Sequence, residues 1–125
     1  MKKMPKLEIE PRFRVSFGRN FSFGPGKAEL LEHIQKTGSI TDAAKAMGMS
    51  YMRAWMLIKS INRAQPSPLV QTTRGGRTRG GAKLSAEGIA LLHYYRQLEN
   101  RSLSATRPAQ KRLQKLLSSS QNLKK

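Results

Sequence analysis

The 125-residue chain contains no cysteine, which excludes a disulfide scaffold, a thiolate metal site and a cysteine nucleophile together. Histidine occurs only as His33 and His93, too few for a histidine-rich metal cage. The seven Asp and Glu residues are scattered, and no two of them nominate an acid–base pair. Glu29, Glu32 and His33 share one helical stretch, where an i, i+4 contact on a solvated face is the expected outcome. The longest charge-free apolar run, Gly88 to Tyr95, falls far short of the roughly 20 residues of a membrane span. Met1-Lys2-Lys3 opens as a signal peptide would, but no apolar region follows it, so a soluble cytoplasmic protein is expected. No cofactor is implied and no enzymatic constellation emerges.

What the sequence has in excess is positive charge. Lys and Arg number 24, which gives a net charge of +17 and a pI near 11.2. Residues 1–60 carry +6 of it and residues 61–125 carry +11. Leu, Ile, Val and Phe number 14, 6, 2 and 4, about a fifth of the chain, just enough for one small core. Self-repulsion of this size invites an acidic partner.

Apolar residues alternate from Leu7 to Phe23, with Gly18-Arg19-Asn20 interrupting, which predicts a β-hairpin with one buried face through Phe13, Val15, Phe17, Phe21 and Phe23. Pro25 and Gly38 then bracket a helix with Leu30, Leu31 and Ile34 as its apolar stripe. A last long helix opens at the N-cap Ser85, with Glu87 in its first turn and Ile89, Leu92, Tyr95 or Arg96, and Leu98 or Glu99 on its inner face. Pro108 interrupts, Gln110 to Leu117 suits a short amphipathic helix, and Ser118-Ser119-Ser120 begins a frayed tail. Residues 1–104 are therefore expected to form one domain and residues 105–125 a basic tail.

The informative stretch runs from Ile40 to Lys59. Two helices crossing steeply need a small residue where they meet and a glycine where the backbone turns left-handed. Ala44 is that small residue, and Gly48 follows four positions later. Ala43, Met47, Met49, Ala54 and Leu57 close the inside of the pair, while Thr41 or Ser39 caps its first helix and Ser50 its second. Trp55 falls in the apolar arc beside Ala54 and Ile58. This is the pattern of a helix-turn-helix, whose second helix, here residues 50–63, enters the major groove of DNA. Ser50, Tyr51, Met52, Arg53, Met56 and Lys59 are its outward candidates, and Thr41 of the first helix is nominated with them as a DNA contact. Arg53 suits a bidentate contact to guanine, Met52 and Met56 suit thymine methyl groups, Tyr51 suits phosphate, and Ser50 suits either phosphate or a base.

Leu69–Thr73 and Ala82–Leu84 then read as two strands around a loop rich in arginine and glycine, a basic wing at residues 74–82. Arg74, Arg77 and Arg79 are expected to follow phosphates or to enter a narrow minor groove. Arg74-Gly-Gly and Arg79-Gly-Gly also resemble RNA-binding elements, so a non-specific nucleoid or RNA-binding protein is the alternative. An adaptor using the last helix to bind another protein is a third reading. The fold class is mainly α with small β.

The run Gly38 to Trp55 (GSITDAAKAMGMSYMRAW), Leu69-Val70, the double-glycine wing and Leu84 to Gly88 (LSAEG) together resemble the N-terminal domain of the molybdate-responsive ModE regulators, relatives of the LysR type. The likeness spans about residues 10–103. It implies a homodimer pairing through the last helix and the N-terminal strands, and binding of double-stranded DNA at a palindromic operator, usually as a repressor. Two departures stand out. The paired β-domains that bind molybdate in that family have no counterpart in these residues, so no molybdate site is expected. Met52 stands where the family often has lysine, which implies a different base sequence.

Overall fold

The computed structural model describes residues 6–73 and 81–123. In chain order the elements are β1 (Val15–Phe17), β2 (Phe21–Phe23), α1 (Pro25–Thr37), α2 (Ile40–Ala46), α3 (Tyr51–Asn62), β3 (Val70–Thr73), β4 (Gly81–Leu84), α4 (Ala86–Ala105) and α5 (Arg107–Leu123). They fall into two compact units, Arg12–Arg96 and a smaller one of Met1–Pro11 with Gln97–Lys125.

In the larger unit every element from β2 to β3 sends a side chain into one core. Phe23, Leu30, Leu31, Ile34, Ile40, Ile58, Ile61 and Val70 are fully buried. Each such side chain contributes about 1.5–3 kcal/mol when removed from water. Helix α1 starts with Pro at its first turn and stops at Gly38, whose N–H bonds to the Ile34 carbonyl at 2.8 Å. The Gly38 carbonyl in turn accepts from the Ala82 N–H at 3.1 Å, which ties β4 to the entrance of α2.

The hairpin forms as expected, antiparallel with Phe17 opposite Phe21 and Val15 opposite Phe23. Its apolar face is only half covered. Phe21 and Phe23 are buried, whereas Phe17 is 77% exposed and Val15 also faces solvent. The reason is placement: β2 lies on α1 and α3, and β1 is the outer strand. Ahead of β1, residues 6–14 adopt no regular strand, so the alternation from Leu7 overstates the hairpin. Phe13 still packs on the core, and its carbonyl accepts from the Tyr95 hydroxyl at 2.7 Å.

Helix α4 begins as read, with Ser85 Oγ accepting from the Gly88 N–H at 3.1 Å. Its buried stripe is Gly88, Leu92 and Tyr95, and Ile89, expected inside, is exposed. The Tyr95 ring meets Phe23 edge-on at 5.1 Å, and Arg96 pairs with Glu32 of α1.

In the smaller unit α5 runs on through Ser118–Ser120, where the sequence suggests fraying. Serine costs a helix only a few tenths of a kcal/mol per residue, and the helix is already well nucleated upstream. Gln110 Nε2 donates to the Leu103 carbonyl at 2.8 Å and to Thr106 Oγ1 at 3.0 Å, satisfying groups at the end of α4. The exposed face of α5 carries Leu113, Leu116 and Leu117.

Candidate nucleic-acid interface

Between Asp42 and Glu87 the sequence has no carboxylate and eight Lys or Arg residues. That acid-free stretch contains α3 and both strands of the second hairpin, so nothing within it neutralises the surface they build.

The two helices α2 and α3 owe their angle to the turn between them. Ser39 caps α2 by accepting from the Asp42 N–H at 3.1 Å, and Ser50 caps α3 by accepting from the Arg53 N–H at 3.1 Å. Gly48 sits in the left-handed region at φ 66°, and the Met49 N–H returns to the Ala44 carbonyl at 3.0 Å. Ala43, Ala44 and Ala54 are buried where the helices cross, so their small size sets the distance of approach.

On α3 the spacing divides the helix cleanly. Ala54, Ile58 and Ile61 (i, i+4, i+7) are buried, and Met52, Met56 and Lys59 (i, i+4, i+7) are exposed, flanked by exposed Tyr51 and Arg53. Met52 is 64% exposed and Met56 53%. Ser50 is exposed at the helix start, and its Oγ is engaged as the cap. Thr41 lies half-buried in the first turn of α2. Trp55 is half-buried and packs against the core, in keeping with its place in the apolar arc. The nominated positions Ser50, Tyr51, Met52, Arg53, Met56 and Lys59 therefore share one exposed end and side of the pair.

Behind α3 the chain is clamped to the second hairpin by Asn62. Its Oδ1 accepts from the Leu69 and Val70 N–H groups, each at 2.9 Å, and its Nδ2 donates to the Val70 carbonyl at 3.0 Å. β3 and β4 pair antiparallel from Val70–Leu84 to Thr73–Gly81, as the strand reading requires. Arg74, Arg77 and Arg79, the nominated wing arginines, lie outside the described residues.

Sequence reasoning missed a second group of cations. Arg14 and Lys27 line a cleft with Arg53, and Arg63 lies near enough to act on Lys27. Lys27 Nζ donates to the Ser22 carbonyl at 2.6 Å and to Ser60 Oγ at 2.8 Å. Burial lowers its pKa below the ordinary lysine value, and the positive charges of Arg14 and then Arg63 lower it further. These residues come from four places in the chain, and no local spacing signals that they meet.

His33 and Glu29 make the expected i, i+4 contact at 3.8 Å. His93 is exposed against the ring of Tyr94. Among the described residues no group of three or more His, Asp or Glu could hold a metal ion, and no helix is long and apolar enough to cross a membrane.

Two helices across a glycine turn, followed by an antiparallel hairpin and a helix that packs behind it, define a winged helix-turn-helix domain. Residues 26–89 match the bacterial regulatory helix-turn-helix protein, lysR family. The chain belongs to that family. It is also similar to the molybdenum transport protein ModE of Herbaspirillum seropedicae, 40% identical over 74 residues, covering 59% of this chain and 28% of the relative. The DNA-binding transcriptional dual regulator ModE of Escherichia coli K12 is 39% identical over 71 residues, 57% of this chain and 27% of that protein. The matched part thus spans under a third of the length of these relatives, in agreement with the resemblance carried by Gly38 to Trp55. Among solved structures, a chain in the crystal structure of a CbnR_DBD–DNA complex superposes with a TM-score of 0.51 at 22% identity, covering 67% of this chain and 94% of that one. That likeness is one of fold.

Proposed function

We propose that the chain is the DNA-reading part of a bacterial transcriptional regulator, binding a palindromic operator as a homodimer and acting as a repressor. The observation that carries this reading is the exposed side of α3. Tyr51, Met52, Arg53, Met56 and Lys59 are held outward by a buried Ala54–Ile58–Ile61 stripe, within a stretch free of acids. Exposed methionines beside an arginine suit thymine methyl groups and a guanine edge, and the basic surroundings suit phosphate. Arg74, Arg77 and Arg79 would add sequence-independent contacts from the wing. The printed names of the ModE relatives, a transcriptional dual regulator among them, support the regulatory assignment. Dimerisation is supported by exposed Phe17 on β1 and by Ile89 and Tyr94 on α4, large apolar groups with no cover within the described chain.

The test is selection of bound fragments from random genomic duplex DNA, with poly(dI-dC) and single-stranded RNA as competitors. A recurrent palindrome that survives both competitors is the expected result. Preference for the RNA, or recovery of fragments without a shared sequence, would replace this reading with that of a non-specific nucleic-acid-binding protein. Arg53→Ala should then flatten the preference at one base pair per half-site, at a cost of about 1–3 kcal/mol.

A further inference from the structure

The cleft beside α3 holds more positive charge than the helix-turn-helix requires. It has a volume of about 340 Å³ and is lined by Arg14, Lys27 and Arg53 together with Ser22, Met49 and Leu57. No carboxylate lines it. The ion pairs among the described residues, Glu29 with His33 and Glu32 with Arg96, involve none of these three cations. Arg14 and Arg53 take part in no ion pair among the described residues. Folding therefore gathers three cations from three separate segments into one open space without a counter-charge, an arrangement that repels itself until an anion enters.

We propose that this cleft seats a phosphodiester of the DNA backbone next to the bases faced by α3, gripped by Arg14 from the segment just ahead of β1 and Lys27 from α1. The inference rests on the DNA-reading function proposed above and extends it to residues outside the helix-turn-helix and the wing.

Three features favour a backbone phosphate as the occupant. First, one wall of the cleft is Arg53, which belongs to the helix assigned to the major groove, so the strand bordering that groove passes the opening. Second, Met49 and Leu57 give the lining an apolar part, suited to a sugar beside the phosphate, where a free ion would favour polar groups on all sides. Third, Lys27 is positioned before any ligand arrives, by its bonds to Ser22 and Ser60, so seating a phosphate immobilises little. The pKa of Lys27 is lowered first by burial and then by the nearby charges of Arg14 and Arg63, which no carboxylate in the cleft lining offsets.

The experiment uses the full chain and the duplex recovered by selection, with its phosphates replaced one at a time by uncharged methylphosphonate. Arg14 is exposed and makes no side-chain hydrogen bond among the described residues, so Arg14→Ala is expected to fold, as circular dichroism would verify. The variant should bind about tenfold more weakly to all sequences alike. The slope of log affinity against log salt should shrink by about 0.9, the signature of one lost phosphate contact. One methylphosphonate outside the bases read by α3 should weaken the wild type and have no further effect on Arg14→Ala, and Arg14→Lys should restore much of the affinity. Wild-type affinity in Arg14→Ala, or additive losses at every phosphate, overturns the proposal and leaves the DNA-reading function standing. Failure of the wild type to bind any duplex takes down both. A third arm titrates inorganic phosphate against chloride at matched ionic strength. Equal inhibition by the two salts is expected, whereas competition specific to phosphate in the wild type and absent in Arg14→Ala would assign the cleft to a free anion instead.

Discussion

The carbonyl of Leu69 occupies the place where a β-carbon on residue 88 would have to stand; even its carbon atom is 3.1 Å from that point. The same oxygen accepts from the Ser85 N–H at 2.9 Å and from Ser85 Oγ at 3.2 Å. The start of β3 and the first turn of α4 are thereby pressed backbone to backbone. Gly88→Ala should destabilise the protein by about 1–3 kcal/mol, because the clash is with main chain and no rotamer relieves it. This is opposite in sign to the gain of about 1 kcal/mol that the same change brings inside an unobstructed helix. Thermal unfolding of the two proteins decides between the signs.

Gly48→Ala should also destabilise, by about 1–2 kcal/mol, since the left-handed backbone at φ 66° penalises a β-carbon although open space surrounds the position. Here the cost is conformational and not steric. Gly48→Asn, which tolerates that region better, should recover part of it in urea unfolding.

DNA affinity should fall by roughly 10³–10⁵ between 50 and 200 mM salt if the surface makes six to ten phosphate contacts. Arg77→Ala should weaken binding to all duplexes alike, whereas Arg53→Ala should alter the ratio between preferred and scrambled sequences. Competition binding at two salt concentrations separates the two behaviours.

Phe17→Glu and Ile89→Glu should each yield a monomer in sedimentation, because both side chains are exposed to solvent in a single chain. Binding to the full palindrome should drop about 10²-fold or more as the second contact becomes bimolecular. Affinity for an isolated half-site should hardly change. A dimer surviving both changes would place the interface elsewhere.

Lys27 supplies a pH dependence whose sign can be worked out. Its native pKa lies below the ordinary 10.5, first through burial and then through Arg14 and Arg63. Within the window between the two values the unfolded chain holds more protons than the native one, so stability gains from this group as pH rises. Below the window the full cost of keeping Lys27 charged is present. Lys27→Gln should remove that rise, seen as a flatter difference curve in urea unfolding from neutral pH upward.

The helix-turn-helix was legible because its constraints are local. A small residue at Ala44, a glycine at position 48 and two serine caps lie within a dozen residues of one another. Strands β3 and β4 were legible for a similar reason, a short apolar alternation on either side of a glycine-rich loop. The inner face of α4 was not. Its contact stripe includes Gly88, which makes close packing by lacking a side chain, so hydrophobic spacing assigned Ile89 to the interior. The hairpin's uncovered half escaped notice because Phe17 and Val15 alternate as buried residues do. The Arg14–Lys27–Arg53 cleft is a product of tertiary folding alone.

Asn62 belongs to α3 by position and to β3 by its bonds, and this gives the domain a fixed gauge. The far end of the helix and the root of the wing cannot slide past each other without breaking three hydrogen bonds. Under the proposed DNA-reading function, the offset along the duplex between the bases faced by α3 and the backbone met by the wing would then be a constant of the protein. On the proposed reading, operators should vary in their letters and in the gap between half-sites, while the span within one half-site stays constant because Asn62 holds the two reading elements in register.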